Sequence, residues 1–370
     1  MKVLFLVNIP SPYRVDFFDE LGKLCDLTVL YELKEASDRD SSWYGDNSSG
    51  NYKYEFLKPV FKLTSAAYCP SVKKYLKDPS YDVIVVGGYS TPTGMLAIRY
   101  LRSHRRPFIL NCDGGMVPES ESRFKCGFKH YFISCASVWL SPSGASDDYL
   151  KHYGAREKEI YRFPFTSLYK ADIIPGLSEP SQRAAGINFD AQNPAKIISV
   201  GNYIRRKGFD VLIKAMEYVK VPAVLKIVGG TATDEYVRLK ENCERANPLV
   251  KIEFESFKDK KTLFEMYRDS DLFVLATRYD IWGLVVGEAM ACGLPVITTN
   301  ACNAGVELVH EGENGYLVNP EDVTGLADSI NKALSGDLKA MGQRSYEIIS
   351  GYTYEEMAKR HIEIFEIFED

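Results

Sequence analysis

Two carboxylates, Asp280 and Glu288, stand eight residues apart in the run Tyr279-Asp280-Ile281-Trp282-Gly283-Leu284-Val285-Val286-Gly287-Glu288-Ala289-Met290-Ala291-Cys292-Gly293-Leu294-Pro295-Val296. The pattern predicts a loop and then a helix that starts near Gly283, between strands at Leu272 to Ala276 and Pro295 to Thr299. The first amides of such a helix, from about Gly283 to Val285, lack intrahelical partners and carry the positive end of the dipole, a ready site for a diphosphate. Leu284 and Glu288 share a face one turn apart. Glu288 is thereby set just beyond the anion site, where its carboxylate can accept hydrogen bonds from a vicinal diol such as ribose. Asp280, on the loop before the helix, is placed to hold hydroxyls of a second sugar. A solvated Asp280 and a Glu288 that merely favours the helix dipole would show the same spacing.

A second run, Val200-Gly201-Asn202-Tyr203-Ile204-Arg205-Arg206-Lys207-Gly208-Phe209-Asp210, reads as a strand, a turn and a helix start. Lys207 at that helix start is a compact charge suited to a departing phosphate. The competing account is a solvated Arg-Arg-Lys loop.

The elements that must position these residues repeat one theme. Met1 to Asn8, Asp26 to Leu33, Tyr81 to Gly87, Pro107 to Cys112 and Ser137 to Ser141 read as short strands buried on both faces, alternating with helices such as Asp16 to Lys23 and Gly94 to Ser103. Such alternation implies right-handed βαβ units and a parallel sheet. The rhythm stops in a polar stretch with Pro175-Gly176, Pro180-Ser181 and Pro194, then restarts with strands at Lys196 to Val200, Ala223 to Val228, Val250 to Phe254 and the two already named. Helices fall around 233 to 246, 261 to 268 and 283 to 291, and over Phe209 to Met216 and Val323 to Ile330. A final helix opens at Thr353 as N-cap with Glu356 three residues on. The expected organisation is α/β, with two doubly wound domains at 1–170 and 195–350 joined by a linker at 171–194. Ligands then bind in a cleft between them, where strand carboxyl ends open.

Composition narrows the classes. The 370 residues carry 45 Lys and Arg against 50 Asp and Glu, a net charge of −5, so a general nucleic-acid binder is not expected. No run approaches the ~20 apolar residues of a membrane span, and Asn8 and Pro10 cut the apolar start short of a signal peptide, so the expected location is cytoplasmic. The sequon Asn47-Ser48-Ser49 then has no meaning. Eight cysteines without a CxxC pair read as buried reduced thiols, and the five histidines have no ligand spacing, so no metal and no cofactor is expected. Asp38-Arg39-Asp40 and Asp269-Ser270-Asp271 match a metal-binding DxD by chance, and Ser71-Val72-Lys73-Lys74 reads as a surface helix. The absence of GxGxxG and of GxxxxGK[ST] argues against a dinucleotide oxidoreductase and a P-loop nucleotidase.

The carboxylate run resembles the signature of the family 4 glycosyltransferases of the GT-B fold: a Glu, seven residues, then a second Glu followed by Ala-Met-Ala-x-Gly-x-Pro-Val. Here Asp280 stands for the first Glu, one methylene shorter, and Glu288 for the second. The resemblance implies that Glu288 binds the nucleotide ribose and that Asp280 contacts the transferred sugar. The family's Gly-Arg pair followed five residues later by Lys-Gly is matched by Gly201, Lys207 and Gly208, with Asn202 in place of the Arg, so Arg205 or Arg206 would supply the second cation on the diphosphate. Gly229-Gly230, the run Glu311 to Val318 and the last helix extend the likeness, and in this fold that helix, about 353–370, packs back on the first domain. Over the first half the likeness is weaker: Asn8 to Arg14 replaces the usual Gly-Gly, which makes Tyr13 and Arg14 acceptor or phosphate contacts on a loop. Asp113, before Gly114-Gly115, falls about where the family contacts the donor sugar; an Asx turn is the other account of it.

The resemblance implies a retaining, metal-independent transfer of a sugar from a nucleoside diphosphate donor (UDP-, GDP- or dTDP-linked) held by the second domain through Gly201, Asn202, Arg205, Arg206, Lys207, Gly229, Ile281 to Val285 and Glu288. The acceptor, a glycan or a lipid-linked glycan of cell-surface polysaccharide assembly, would bind the first. Alternatives are a GT-B nucleotide-sugar epimerase and a non-catalytic nucleotide-sugar binding subunit. Residues 51–131 hold 13 basic against 6 acidic residues, with Arg102, Arg105, Arg106, Arg123, Lys125 and Lys129 among Tyr100, Phe124, Phe128 and Tyr131. That mixture suits an anionic membrane surface, or else an ordinary solvated face with aromatics in the core.

Overall fold

Runs such as Val3-Leu4-Phe5-Leu6 and Leu272-Phe273-Val274-Leu275 are apolar on both faces of the pleat, and in the computed structural model they become inner strands of two all-parallel sheets. The structure describes residues 1–35, 50–173 and 189–369. The sequon at 47–49, the Asp38-Arg39-Asp40 run and residues 174–188 of the expected linker lie outside them. The chain divides into two units, Met1–Ser167 with Tyr352–Asp370, and Leu168–Gly351.

In the first unit the chain runs β1 (Lys2–Val7), α1 (Pro12–Gly22), β2 (Asp26–Tyr31), β3 (Lys53–Phe56), a two-residue antiparallel pair β4 (Phe61–Lys62) and β5 (Ala67–Tyr68), then α2 (Val72–Leu76) and β6 (Val83–Val86). It continues with α3 (Pro92–Ser103), β7 (Ile109–Asn111), α4 (Arg123–Ile133), β8 (Val138–Ser141), α5 (Gly144–His152) and β9 (Ile160–Arg162). The sheet order is β3-β2-β1-β6-β7-β8-β9. Leu4, Val86, Ile98, Leu101, Phe108 and Trp139 pack in one core layer. The terminal helix, Tyr354–Glu369, buries Met357, His361, Ile364 and Phe365, and the His361 ring lies 4.7 Å from Phe17 of α1. Its Thr353 cap accepts from the Glu356 amide at 3.3 Å.

The second unit runs β10 (Ala195–Val200), α6 (Phe209–Met216), β11 (Ala223–Val228), α7 (Asp234–Ala246), β12 (Val250–Glu255), α8 (Lys260–Arg268), β13 (Leu272–Leu275) and α9 (Leu284–Ala291). After these come β14 (Val296–Thr299), α10 (Asn303–Leu308), β15 (Gly315–Val318), α11 (Val323–Leu334) and α12 (Leu338–Ile349). The order β12-β11-β10-β13-β14-β15 is 3-2-1-4-5-6 when the strands are counted along the chain, the Rossmann arrangement. The direction of winding reverses between β10 and β13. A crevice for ligands opens there at the strand carboxyl ends.

The structure corrects several sequence expectations. Helix α1 starts at Pro12 and not at Asp16, because proline suits the first helical position, so Tyr13 and Arg14 are helical and not on a loop. Edge strands β3 and β9, strand β15 and helices α10 and α12 were not foreseen. Four cysteines (69, 243, 292, 302) are buried and four are half-buried, so only part of the buried-thiol expectation holds. Asp269 and Asp271 hold Lys196, by its Nζ at 2.5 Å and its amide at 2.7 Å, which makes that DxD structural.

Candidate functional site

The carboxyl ends of β10 and β13 bring the two chemical runs together. After Val200 the chain turns through a short 3-10 segment, Arg205–Lys207, into α6. Tyr203 anchors the turn, its hydroxyl donating to Ile227 O at 3.0 Å and its ring packed on Phe209, Tyr236 and Phe254. Gly208 closes it with φ +68°, and a Cβ there would fall 1.8 Å from Ala276 O at the end of β13. Only glycine lets the turn sit so near β13.

The loop after β13 staples the turn from the other side. The Thr277 hydroxyl and the Arg278 amide both donate to Arg206 O, at 2.9 and 2.8 Å. The Arg278 guanidinium donates to Arg205 O, grips Asp210 with two bonds of 2.8 and 2.7 Å, and pairs with Glu321. These bonds hold the Arg278 proton above the usual arginine range. Sequence reasoning missed Arg278; its signal, a basic residue two places before the first signature carboxylate, acquires meaning only once the fold brings Asp210 to it.

Lys207 Nζ donates to Asp280 Oδ2 at 2.6 Å, and Arg206 Nη1 lies 3.0 Å from Asp280 Oδ1. Both Lys207 and Asp280 are nearly enclosed, with side chains 12% exposed. Arg206 also donates to Tyr279 O at 2.9 Å, while Arg205 is exposed and its side chain makes no bond to Asp280. The second cation at this site is therefore Arg206. With Arg278 neutralised by its own two carboxylates, the turn sets three cations against the single Asp280 carboxylate, which leaves positive charge for an anion.

Asp280 is fixed by its backbone: its amide donates to Ala301 O at 2.9 Å, and its carbonyl accepts from Asn303 at 3.3 Å. Trp282 is buried, and its carbonyl accepts from the Ala304 amide at 2.9 Å and from the Cys302 thiol at 3.2 Å. Burial and the nearby Asp280 carboxylate push that thiol up to about 12. Ile281 is half exposed. Gly283 takes φ +103°, starting α9 so that the Leu284 and Val285 amides have no partner in the helix. Glu288, one turn on, accepts from the Tyr267 hydroxyl at 3.4 Å. Burial and the Glu288 charge hold the Tyr267 proton in place. Gly201 and Gly229 end β10 and β11, their amides donating to Val228 O and Glu255 O at 2.9 Å, and Asn202 is exposed.

In the first unit, Arg14 and Asp113 meet. Arg14, 5% exposed, pairs with the Asp113 carboxylate, which also accepts from Asn111 Nδ2 at 2.8 Å. The Asx-turn account of Asp113 gives way to this ion pair. Tyr13 packs edge-on against Phe165, and burial raises its pKa. Gly114 follows with φ +141°, a backbone conformation that favours glycine. Among the described residues no cluster of three metal-ligating side chains occurs, and no helix is long and apolar enough to cross a membrane.

Comparison with known proteins fits this geometry. Residues 183–348 match the family described as glycosyl transferases group 1. The chain is 26% identical over 278 residues to an uncharacterized glycosyltransferase of Methanocaldococcus jannaschii, a match spanning 72% of this chain and 69% of that one. It is 26% identical over 266 residues to mannosylfructose-phosphate synthase of Agrobacterium fabrum, spanning 67% of this chain and 57% of the relative. Among solved structures, Anabaena HepE in complex with UDP superposes with a TM-score of 0.75 at 20% identity, over 98% of this chain and 99% of that one.

Proposed function

We propose that the chain, whose residues 183–348 match the group 1 glycosyl transferases and whose fold is GT-B, is a retaining, metal-independent enzyme. It moves a sugar from a nucleoside diphosphate donor held by the second unit to a glycan or lipid-linked acceptor held mainly by the first. The observation that carries this assignment is the set of three cations, Arg205, Arg206 and Lys207, clamped at the strand-order reversal by Arg278 and Thr277.

The donor diphosphate lies on Lys207, Arg206 and the Leu284 and Val285 amides, and Glu288 takes the ribose diol. Negative charge grows on the diphosphate as the glycosidic bond breaks, so these donors act most strongly in the transition state. The acceptor hydroxyl attacks from the face the diphosphate leaves, and the leaving phosphate oxygen takes its proton, so no separate base is required. Asp280 turns from the cations to hydroxyls of the transferred sugar once the diphosphate supplies the countercharge.

Anabaena HepE was solved with UDP, which makes UDP the first candidate. Melting-point shifts with UDP, GDP, dTDP and ADP identify the base, since a ligand of the folded state alone raises the midpoint with its affinity. Incubation with the matching sugar nucleotides follows: transfer or slow diphosphate release supports the proposal, an isomerised donor indicates an epimerase, and binding without reaction indicates a binding subunit.

For the acceptor side, α4 presents Phe124, Phe128 and Tyr131 to solvent beside exposed Arg123 and Lys125, with Arg102 4.9 Å over the Tyr131 ring. A cationic aromatic face of this kind favours an anionic bilayer, consistent with a peripheral place on the cytoplasmic leaflet and with cell-surface polysaccharide synthesis. Equal affinity for anionic and neutral vesicles at low salt would remove the membrane role.

A further inference from the structure

A concavity of about 650 Å³ opens in the first unit at the carboxyl ends of β2 and β3, lined by Glu32, Lys34, Glu35, Phe56, Lys58 and Lys62 among others. Its three lysines come from separate segments: the end of β2, the end of β3, and β4. Several lysines of this unit pair with carboxylates, as Lys23 does with Glu20, Lys53 with Asp26, Lys129 with Glu121 and Lys151 with Asp148, while among the described residues Lys73 and Lys158 stand singly on the surface. Lys34, Lys58 and Lys62 have no such partner among the described residues, and Lys34 Nζ lies 5.3 Å over the Phe56 ring. Against these three lysines the lining sets one exposed carboxylate, Glu35, which leaves a surplus of positive charge that favours an anion there.

The second carboxylate of the lining, Glu32, is turned into the wall. Glu32 is 1% exposed, with one oxygen accepting from the Thr91 hydroxyl and the other from the Ala67 amide at 2.9 Å. Burial pushes its pKa up to about 7, so near neutral pH it carries only about half of a full negative charge. At the rim, the segment that bears Lys62 exposes apolar side chains, Val60 by 73%, Phe61 by 49% and Leu63 by 54%. Cationic and apolar groups therefore alternate along Lys58 to Leu63, a surface that matches a ligand with an anionic head and a hydrocarbon portion.

We propose that this concavity is an acceptor subsite for a lipid-borne phosphate, with the phosphate oxygens on Lys34, Lys58 and Lys62 and the hydrocarbon against Val60, Phe61 and Leu63. The assignment rests on the first unit being the acceptor side of a glycosyltransferase. It places the phosphate at the same carboxyl end of the sheet where Arg14 and Asp113 meet, the end at which parallel α/β sheets bind ligands.

Acetylation of the full chain, read lysine by lysine by peptide mass spectrometry, tests it. Phosphatidylcholine vesicles doped with phosphatidic acid should slow labelling of Lys34, Lys58 and Lys62 at least about threefold, while pure phosphatidylcholine and UDP leave them unchanged. Lys58→Ala/Lys62→Ala should lose most of the phosphatidic acid protection of Lys34 yet keep the wild-type melting shift with UDP, which also shows that it folds. Equal protection by glycerol 1-phosphate alone would replace the lipid with a free phosphate ester. No protection, or slowing spread equally over exposed lysines such as Lys73 and Lys158, would overturn the subsite. UDP protection of Lys207 in the same samples reports on the donor site separately, so either assignment can fail alone.

Discussion

Lys207 Nζ rests 2.6 Å from Asp280 Oδ2, joining two residues 73 positions apart in sequence. The pair exists because β10 and β13 are neighbours in the sheet although two helix-strand units separate them in the chain. It also means that the carboxylate proposed for the transferred sugar holds the cations proposed for the diphosphate. Asp280→Asn should therefore bind free nucleoside diphosphate more tightly, by about 1 kcal/mol, while sugar transfer falls at least about tenfold. Calorimetric titration beside a turnover assay checks this, and unchanged values for both would separate Asp280 from the donor.

Glu288→Gln keeps the side-chain shape but removes the charge proposed to bind the ribose diol. Affinity for the free nucleotide should weaken by roughly 1.5 to 3 kcal/mol, a loss already visible without any sugar present. A variant that binds free nucleotide normally yet transfers poorly would move Glu288 from the ribose to the reacting sugar.

Gly208→Ala combines a left-handed backbone with a collision against Ala276 O. It should cost roughly 2 to 4 kcal/mol of stability by urea unfolding and weaken diphosphate binding, since the Arg205–Lys207 turn must move. Wild-type stability in this variant would show that the turn is not held against β13.

Much of the fold was legible because inner strands of a parallel sheet are apolar on both faces, as Val83 to Val86 and Leu272 to Leu275 are. The missed strands lack that mark. β3, Lys53-Tyr54-Glu55-Phe56, lies at a sheet edge with three of its four residues exposed, and β9 closes the other edge with only three residues. Lys207, Asp280 and Glu288 stood out through local spacing and family likeness. The ion pair of Lys207 with Asp280 and the clamp of Arg278 on Asp210 did not, because both depend on which strands become neighbours, and periodicity carries no information about that. Arg14 and Asp113, 99 residues apart, were singled out separately, and only the fold showed that they touch.

His361 makes stability depend on pH. It is fully buried among Phe17, Phe163 and Phe365, donating from Nδ1 to Met357 O at 2.8 Å, and burial lowers its pKa to about 3. The folded state keeps the ring neutral while the unfolded chain takes up a proton below about 6.5, so this contribution is complete above that pH and is lost as pH falls toward 3. Relative to His361→Phe, the wild type should lose about 1.4 kcal/mol per pH unit across that window. Urea unfolding of both proteins at pH 7, 5.5 and 4.5 measures the difference; parallel curves would mean that His361 protonates in the folded protein.

The donor assignment is tested most directly by Lys207→Ala, measured for turnover with the sugar nucleotide identified by melting shifts and checked for folding by circular dichroism. Loss of charge that acts as the diphosphate departs should cost on the order of 2 to 4 kcal/mol in the transition state, about a hundredfold or more in turnover, with a smaller loss of nucleoside diphosphate affinity. A folded Lys207→Ala protein that turns over its donor at close to the wild-type rate would contradict the placement of the diphosphate on this turn.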